Sequence, residues 1–138
     1  MLGTKRNFRA ILLMITAFLL LMAVPARAHH SFAAEFDSSK PVTLKGVITK
    51  LDWINPHCFW HVDVTNKDGE VEHWDIQGES PTALHRAQIT RADAGKPGDK
   101  VTVDAYMAKD GTKHLAVFRR VTFDGDGHSI GILTDFSK

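Results

Sequence analysis

The 138-residue sequence has one cysteine, Cys58. A lone thiol leaves no internal disulfide to rely on, so outside the cytoplasm the fold must rest on its hydrophobic core. Long apolar runs are also missing. The longest extends from Ala10 to Val24 and is interrupted only by Thr16. At about 15 residues it falls short of the roughly 20 that span a bilayer as a helix. Acidic residues are absent from the first 28 positions, which carry Lys5, Arg6, Arg9 and Arg27. No low-complexity tract and no long internal repeat is present.

What stands at the front has the layout of a secretory signal peptide. A basic segment precedes the short apolar run. Pro25 breaks the run, and Ala26-Arg27-Ala28 supplies small residues for cleavage. The competing assignment is an uncleaved membrane anchor, which the Ala-x-Ala triplet disfavours. Cleavage after Ala28 makes His29 the first residue of the mature chain and His30 the second. Removing 28 residues from 138 leaves 110, enough for one domain that buries its own core. Taking four basic residues from 17 leaves 13 against 16 acidic ones, a formal charge of −3. A mildly acidic chain has no electrostatic footprint for nucleic acid. The mature chain also has no transmembrane segment.

Residues 29–40 are polar and mixed and are expected to form an N-terminal arm. From Pro41 onward the pattern is that of strands. Val42, Leu44, Gly46 and Ile48 alternate with Thr43, Lys45 and Thr49, and Gly46 inside this strand implies a bulge or bend. Asn55-Pro56 marks a corner. In His57–Val64, Cys58, Trp60, Val62 and Val64 share one face, while His57, Phe59, His61 and Asp63 share the other. Lys67-Asp68-Gly69 fits a three-residue hairpin loop with Gly69 at positive φ. Glu70–Gly78 is then the returning strand. Ser80 is a good N-cap and Pro81 a good first helical residue, which predicts a short helix over Pro81–Ile89. Lys100–Ala108 and Lys113–Phe123 form a second hairpin around another Lys-Asp-Gly. Three strands, a helix and two strands predict a mainly β fold, a five-stranded OB-like Greek-key barrel with one short helix between strands 3 and 4. An open β-sandwich is the alternative. The domain then spans residues 41–138.

The hairpin loop dictates a register. With Lys67-Asp68-Gly69 as the loop, Val62 faces Trp74 and Trp60 faces Ile76, as a core requires. On the opposite face His61 opposes Asp75 and Asp63 opposes His73. A one-residue slip would set Val62 beside Asp75, against the hydrophobic pattern. The outer face of this hairpin thus carries His61, His73, Asp63 and Asp75 beside His57 and Phe59. Such pairs serve equally as solvent-facing cross-strand contacts and as ligand or metal donors. His57 and His61 lie about 13 Å apart along a strand at ~3.3 Å per residue, too far to chelate one ion without a sharp bend. Cys58 points inward and is expected to behave as a small buried hydrophobe. Trp53, Trp60 and Trp74 are expected in the core or at its rim. Asp124–His128, Asp-Gly-Asp-Gly-His, lacks the rest of a calcium loop and is expected as a turn.

The terminal histidines carry the most specific chemistry. A free α-amine and the His29 imidazole together form a chelate for divalent copper. A further nitrogen from elsewhere would complete a three-nitrogen site, and His30 offers a second arrangement. Copper(II) favours such tetragonal, nitrogen-rich sites and ranks highest in divalent affinity. The competing assignment is a terminus that picks up copper adventitiously.

The segments AHHSFAAEFD, KPVTLKGVITKLDWINPH, GESPTALHR and KPGDKVTVDAYMAKDG closely resemble a bacterial family of small exported proteins classed as a domain of unknown function. The resemblance covers about residues 28–123 and rests on His-His-Ser-Phe, Trp-x-Asn-Pro-His and Lys-Pro-Gly-Asp. It implies a periplasmic location and a small β-rich domain, with no established activity, substrate or ligand. His29, His30, Trp53, Asn55, Pro56, His57, Ser80, Pro81, Leu84 and Arg86 match its motifs. After Asn-Pro-His this chain carries Cys58 and His61, where the family is expected to carry other residues. That departure makes His57 a better candidate donor than His61.

These observations lead to an expectation: a periplasmic binding or accessory protein, a candidate copper or transition-metal binder, without catalytic residues. Its metal donors are expected from His29, His30, His57, His61 and His73. The alternative is a module binding a non-metal ligand or an envelope protein through Phe59, Asp63, Asp75 and Tyr106. A copper-dependent redox enzyme ranks third, because no complete active-site constellation is found.

Overall fold

The computed structural model describes residues 32–131. A short helix, α1 (Phe32–Glu35), leads directly into the long strand β1 (Phe36–Asp52). The remaining elements are β2 (Phe59–Thr65), β3 (Val71–Gln77), helix α2 (Pro81–Arg86), β4 (Lys100–Ala108), β5 (Leu115–Phe123) and β6 (Ser129–Gly131). The domain is mainly β.

Strand β1 pairs antiparallel with β4 along its first part and with β2 along its last part. β2 pairs with β3 and β4 with β5, both antiparallel. β3 and β5 close the circuit in parallel, through Asp75–Leu115, Ile76–Ala116 and Gln77–Val117. Five strands thus form a ring in OB-like order, with α2 between β3 and β4. β6 extends the ring by pairing with the second half of β5.

The expected hairpin register is the observed one, with Val62 opposite Trp74, His61 opposite Asp75 and Asp63 opposite His73. The loop behind it is built as its composition requires. Asn66 Oδ1 accepts the Asp68 and Glu70 amides, and Gly69 takes φ +85°. The second hairpin has a longer loop than the recurring Lys-Asp-Gly implies. It runs from Lys109 to His114, and His114 joins Gly111 at positive φ.

Gly46 plays a different part from the one its position implied. The irregularity in β1 falls between Ile48 and Lys50. Gly46 instead lies where β1 changes partners, since Val47 pairs with both Asp63 and Lys100. A Cβ at residue 46 would collide with the Asp63 carbonyl and the Val62 side chain. Only glycine allows the two strands to approach this closely.

The ring encloses Ile48, Trp60, Val62, Ile76, Val103, Phe118 and Val121, all buried. Trp60 meets Phe118 edge to face at 5.1 Å, and its indole N–H donates to the Ala94 carbonyl at 2.8 Å. Leu84 of α2 packs into this core. Ser80 caps α2 by accepting the Ala83 amide at 3.1 Å. The helix is shorter than predicted, because Gln88 turns to positive φ just beyond it.

A second, smaller cluster holds Phe32, Phe36, Ala108 and Val117, with Tyr106 and Leu115 against it. Residues 32–40, expected as an arm, are therefore helix α1 and the opening of β1. Phe32 and Phe36 fix them, and Phe36 pairs with Ala108. The Lys109 amide donates to the Glu35 carbonyl at 2.8 Å.

Candidate functional site

His57 sits in the β1–β2 loop, one residue ahead of a fixed anchor. The Cys58 amide donates to Glu79, and the Cys58 carbonyl accepts from Gly78. The half-buried His57 ring lies 5.3 Å from the Phe32 ring, tilted by 52°. Its Nδ1 is buried and has no hydrogen-bond partner among the described residues. A buried imidazole nitrogen without a partner forfeits its hydration, a cost that a hydrogen-bond donor or a metal ion at that atom would offset. Phe32 thus brings the start of the described chain onto His57. His29 and His30 lie outside the described residues. Two residues stand between His29 and Phe32, and the three steps give a reach of at most about 11 Å for an extended chain.

His61 is built into a different arrangement. Its Nδ1 meets Asp75 Oδ1 at 2.7 Å and its Nε2 meets Asp52 Oδ2 at 3.0 Å. One imidazole thereby ties β1, β2 and β3 together. Asp52 also accepts from Lys50, at 2.9 Å to Oδ2. Its carboxyl is held below the usual carboxylate range, by the Lys50 hydrogen bond first and the His61 contact second. His73 Nδ1 meets Asp63 Oδ1 at 2.6 Å, with 80% of the His73 side chain exposed. Both ring nitrogens of His61 and one of His73 are therefore occupied by carboxylates. Among the described residues, no group of three or more His, Cys, Asp or Glu is placed to hold a metal ion.

The expected ligand face is only partly assembled. Phe59, Asp63 and Asp75 lie on adjoining strands, and Phe59 pairs with Asp52 of β1. Tyr106 pairs with Pro41, near the other end of β1, and packs on the smaller cluster. The structure does not bring Phe59 and Tyr106 together. Asp52 is the functional-face residue that pattern reading missed. It ends a strand whose bulge re-aims its side chain toward His61, and the sign of that bulge in the sequence is the three-residue step between the inward-facing Ile48 and Leu51.

Fold and surface define an OB-like domain whose polar face consists of paired histidines and carboxylates. The chain belongs to the family of unknown function DUF6152, whose match covers residues 17–117. No curated protein and no solved structure matches the chain. Among the described residues, no helix is long and apolar enough to cross a membrane.

Proposed function

We propose that this chain is an exported, periplasmic accessory protein that binds a transition metal, copper foremost, through its mature N-terminus and His57. The observation that carries this reading is the packing of Phe32 on His57, whose Nδ1 is buried without a partner among the described residues. The donors are the α-amine and imidazole of His29, with His57 Nδ1 as a further nitrogen. His30 offers the alternative chelate. Copper(II) suits this donor set because it favours nitrogen ligands in a tetragonal plane. His61 is a weaker donor than sequence alone implied, since binding there would first displace Asp52 or Asp75, whereas His73 meets a carboxylate through Nδ1 only. The role is binding rather than turnover.

The test is a copper(II) titration of protein exported and cleaved in cells. Intact mass verifies His29 as residue one, and electron paramagnetic resonance counts the nitrogens. Two variants report separately. An alanine inserted before His29 removes the amine–imidazole chelate, and His57→Phe keeps an aromatic ring beside Phe32 without its nitrogens. Each is expected to weaken copper binding at least about tenfold, a loss of about 1.4 kcal/mol. Binding that neither change weakens overturns the reading.

A further inference from the structure

An open cleft of about 1070 Å³ lies at another part of the molecule, between the loop after α2 and the β5–β6 turn. Arg91, Lys96 and Lys100 line it together with Asp99, Asp124 and Asp126, and His128 stands among them. Small-molecule sites are concave and bring a few polar groups to bear on an otherwise apolar wall.

His128 is held in an unusual way. Its ring stacks on Phe123 with centroids 4.2 Å apart and planes within 5°. Nδ1–H donates to Asp126 Oδ1 at 2.6 Å and Nε2–H to the Asp93 carbonyl at 3.0 Å. Both partners are acceptors, so both nitrogens carry hydrogen and the ring is cationic when both bonds form. The Asp126 contact, then the Asp93 carbonyl, raise the His128 pKa above its ordinary value. One face is covered by Phe123 and both nitrogens are engaged, yet 42% of the side chain is exposed. What remains open is the other face of a flat cation.

The charges around it are unequally satisfied. Asp126 is paired with His128, and Asp99 Oδ2 accepts the Lys96 amide at 2.9 Å. Arg91 donates to the Gly95 carbonyl at 2.8 Å. Lys96 and Lys100 have no side-chain partner among the described residues, and neither has the Asp124 carboxylate. The lining thus carries Arg91, Lys96, Lys100 and the charged His128 ring against Asp99, Asp124 and Asp126, and two of the cations are ammonium groups without a side-chain partner among the described residues.

We propose that this cleft is a binding site for a small flat anion, with an aromatic carboxylate as its simplest representative. The ligand's ring lies on the open face of His128, and its acid group is met by Lys96 and Lys100. Stacking of an electron-rich ring on a cation and pairing of its carboxylate act together in one molecule. The site uses none of the residues of the proposed metal site and stands or falls separately from it.

The experiment is a ¹H–¹⁵N NMR titration of the full chain with 2-naphthoate, in the absence of added metal. Saturable shifts are expected at the amides of Gly95, Gly98 and Gly125. The neutral analogue 2-naphthylmethanol is expected to bind at least about tenfold more weakly. So is 2-naphthoate to the Lys96→Gln/Lys100→Gln double variant, whose substitutions are both on the surface and leave the fold intact. His128→Gln removes the ring and is expected to abolish the shifts. No saturation, equal affinity for the alcohol, equal affinity of the double variant, or shifts mapping elsewhere would each overturn the proposal.

Discussion

Cys58 is fully buried, and burial pushes its thiol up to about 11. A thiol that is neither ionised nor accessible does not attack. A thiol reagent added to the native protein near neutral pH should leave Cys58 unmodified, while concentrated urea should expose one reactive group. Rapid native labelling would contradict its packing beside Trp60 and Val62. Asp126 and His128 make a second single-residue prediction. Asp126 has a lowered pKa, caused first by the His128 ring contact and then by the His128 amide. Its contribution is complete above its ordinary value of 3.8 and is lost as pH falls through the lowered folded value. The raised pKa of His128 works in the opposite sense. Its contribution is complete below 6.5 and is lost as pH rises through the folded value. The urea midpoint difference between wild type and Asp126→Asn should therefore be greatest between those two ordinary values and shrink on both sides. A difference independent of pH would show that the pair contributes no charge interaction. The exposed partner of His61 should matter less. Asp75→Asn is expected to cost under about 1 kcal/mol, the range of solvent-facing pairs.

Elements carry larger effects. Gly46→Ala forces β1 and β2 apart where Gly46 lies against the Asp63 carbonyl, and about 1–3 kcal/mol of stability should be lost in urea unfolding. Phe32→Ala empties part of the smaller cluster. It should cost about 3 kcal/mol at most, and should raise amide exchange in α1 before it raises exchange in β2. Equal loosening of both would mean that the two clusters unfold as one unit. The strands, the order of the elements, the α2 cap and the β2–β3 register were legible in the sequence. Period-2 alternation, Ser80-Pro81 and one glycine at the hairpin loop are local signals. What escaped was non-local. α1 and the opening of β1 exist because Phe32 and Phe36 find Ala108 and Val117, far along the chain. β6 is three residues long, too short to show a period. The bulge that turns Asp52 toward His61 shows only as a three-residue step from Ile48 to Leu51, close to the more conspicuous Gly46. The cleft was missed for a similar reason: its walls are two turns, each ordinary on its own, brought together by the pairing of β4 with β5 and the His128–Asp93 hydrogen bond.

At the scale of the whole molecule, the fold has no covalent staple. Its thermal midpoint should be the same with and without a reducing agent, and a shift would point to a disulfide between chains through Cys58. The ring also places the two proposed sites on different loops, so occupying one leaves the other's residues untouched. The parallel seam between β3 and β5 also governs the order of events in time. A chain made from its N-terminus has β1, β2 and β3 long before β5 exists, and the circuit cannot close until β5 arrives. Until then the edge of β3 is open and the cluster around Phe36 lacks Val117. Pairings between distant segments make folding slow, on the order of milliseconds to seconds. Through that interval the incomplete ring presents an unpaired strand edge to its surroundings. The moment of greatest risk for this protein therefore comes before it is finished, and any helper it needs would be needed then.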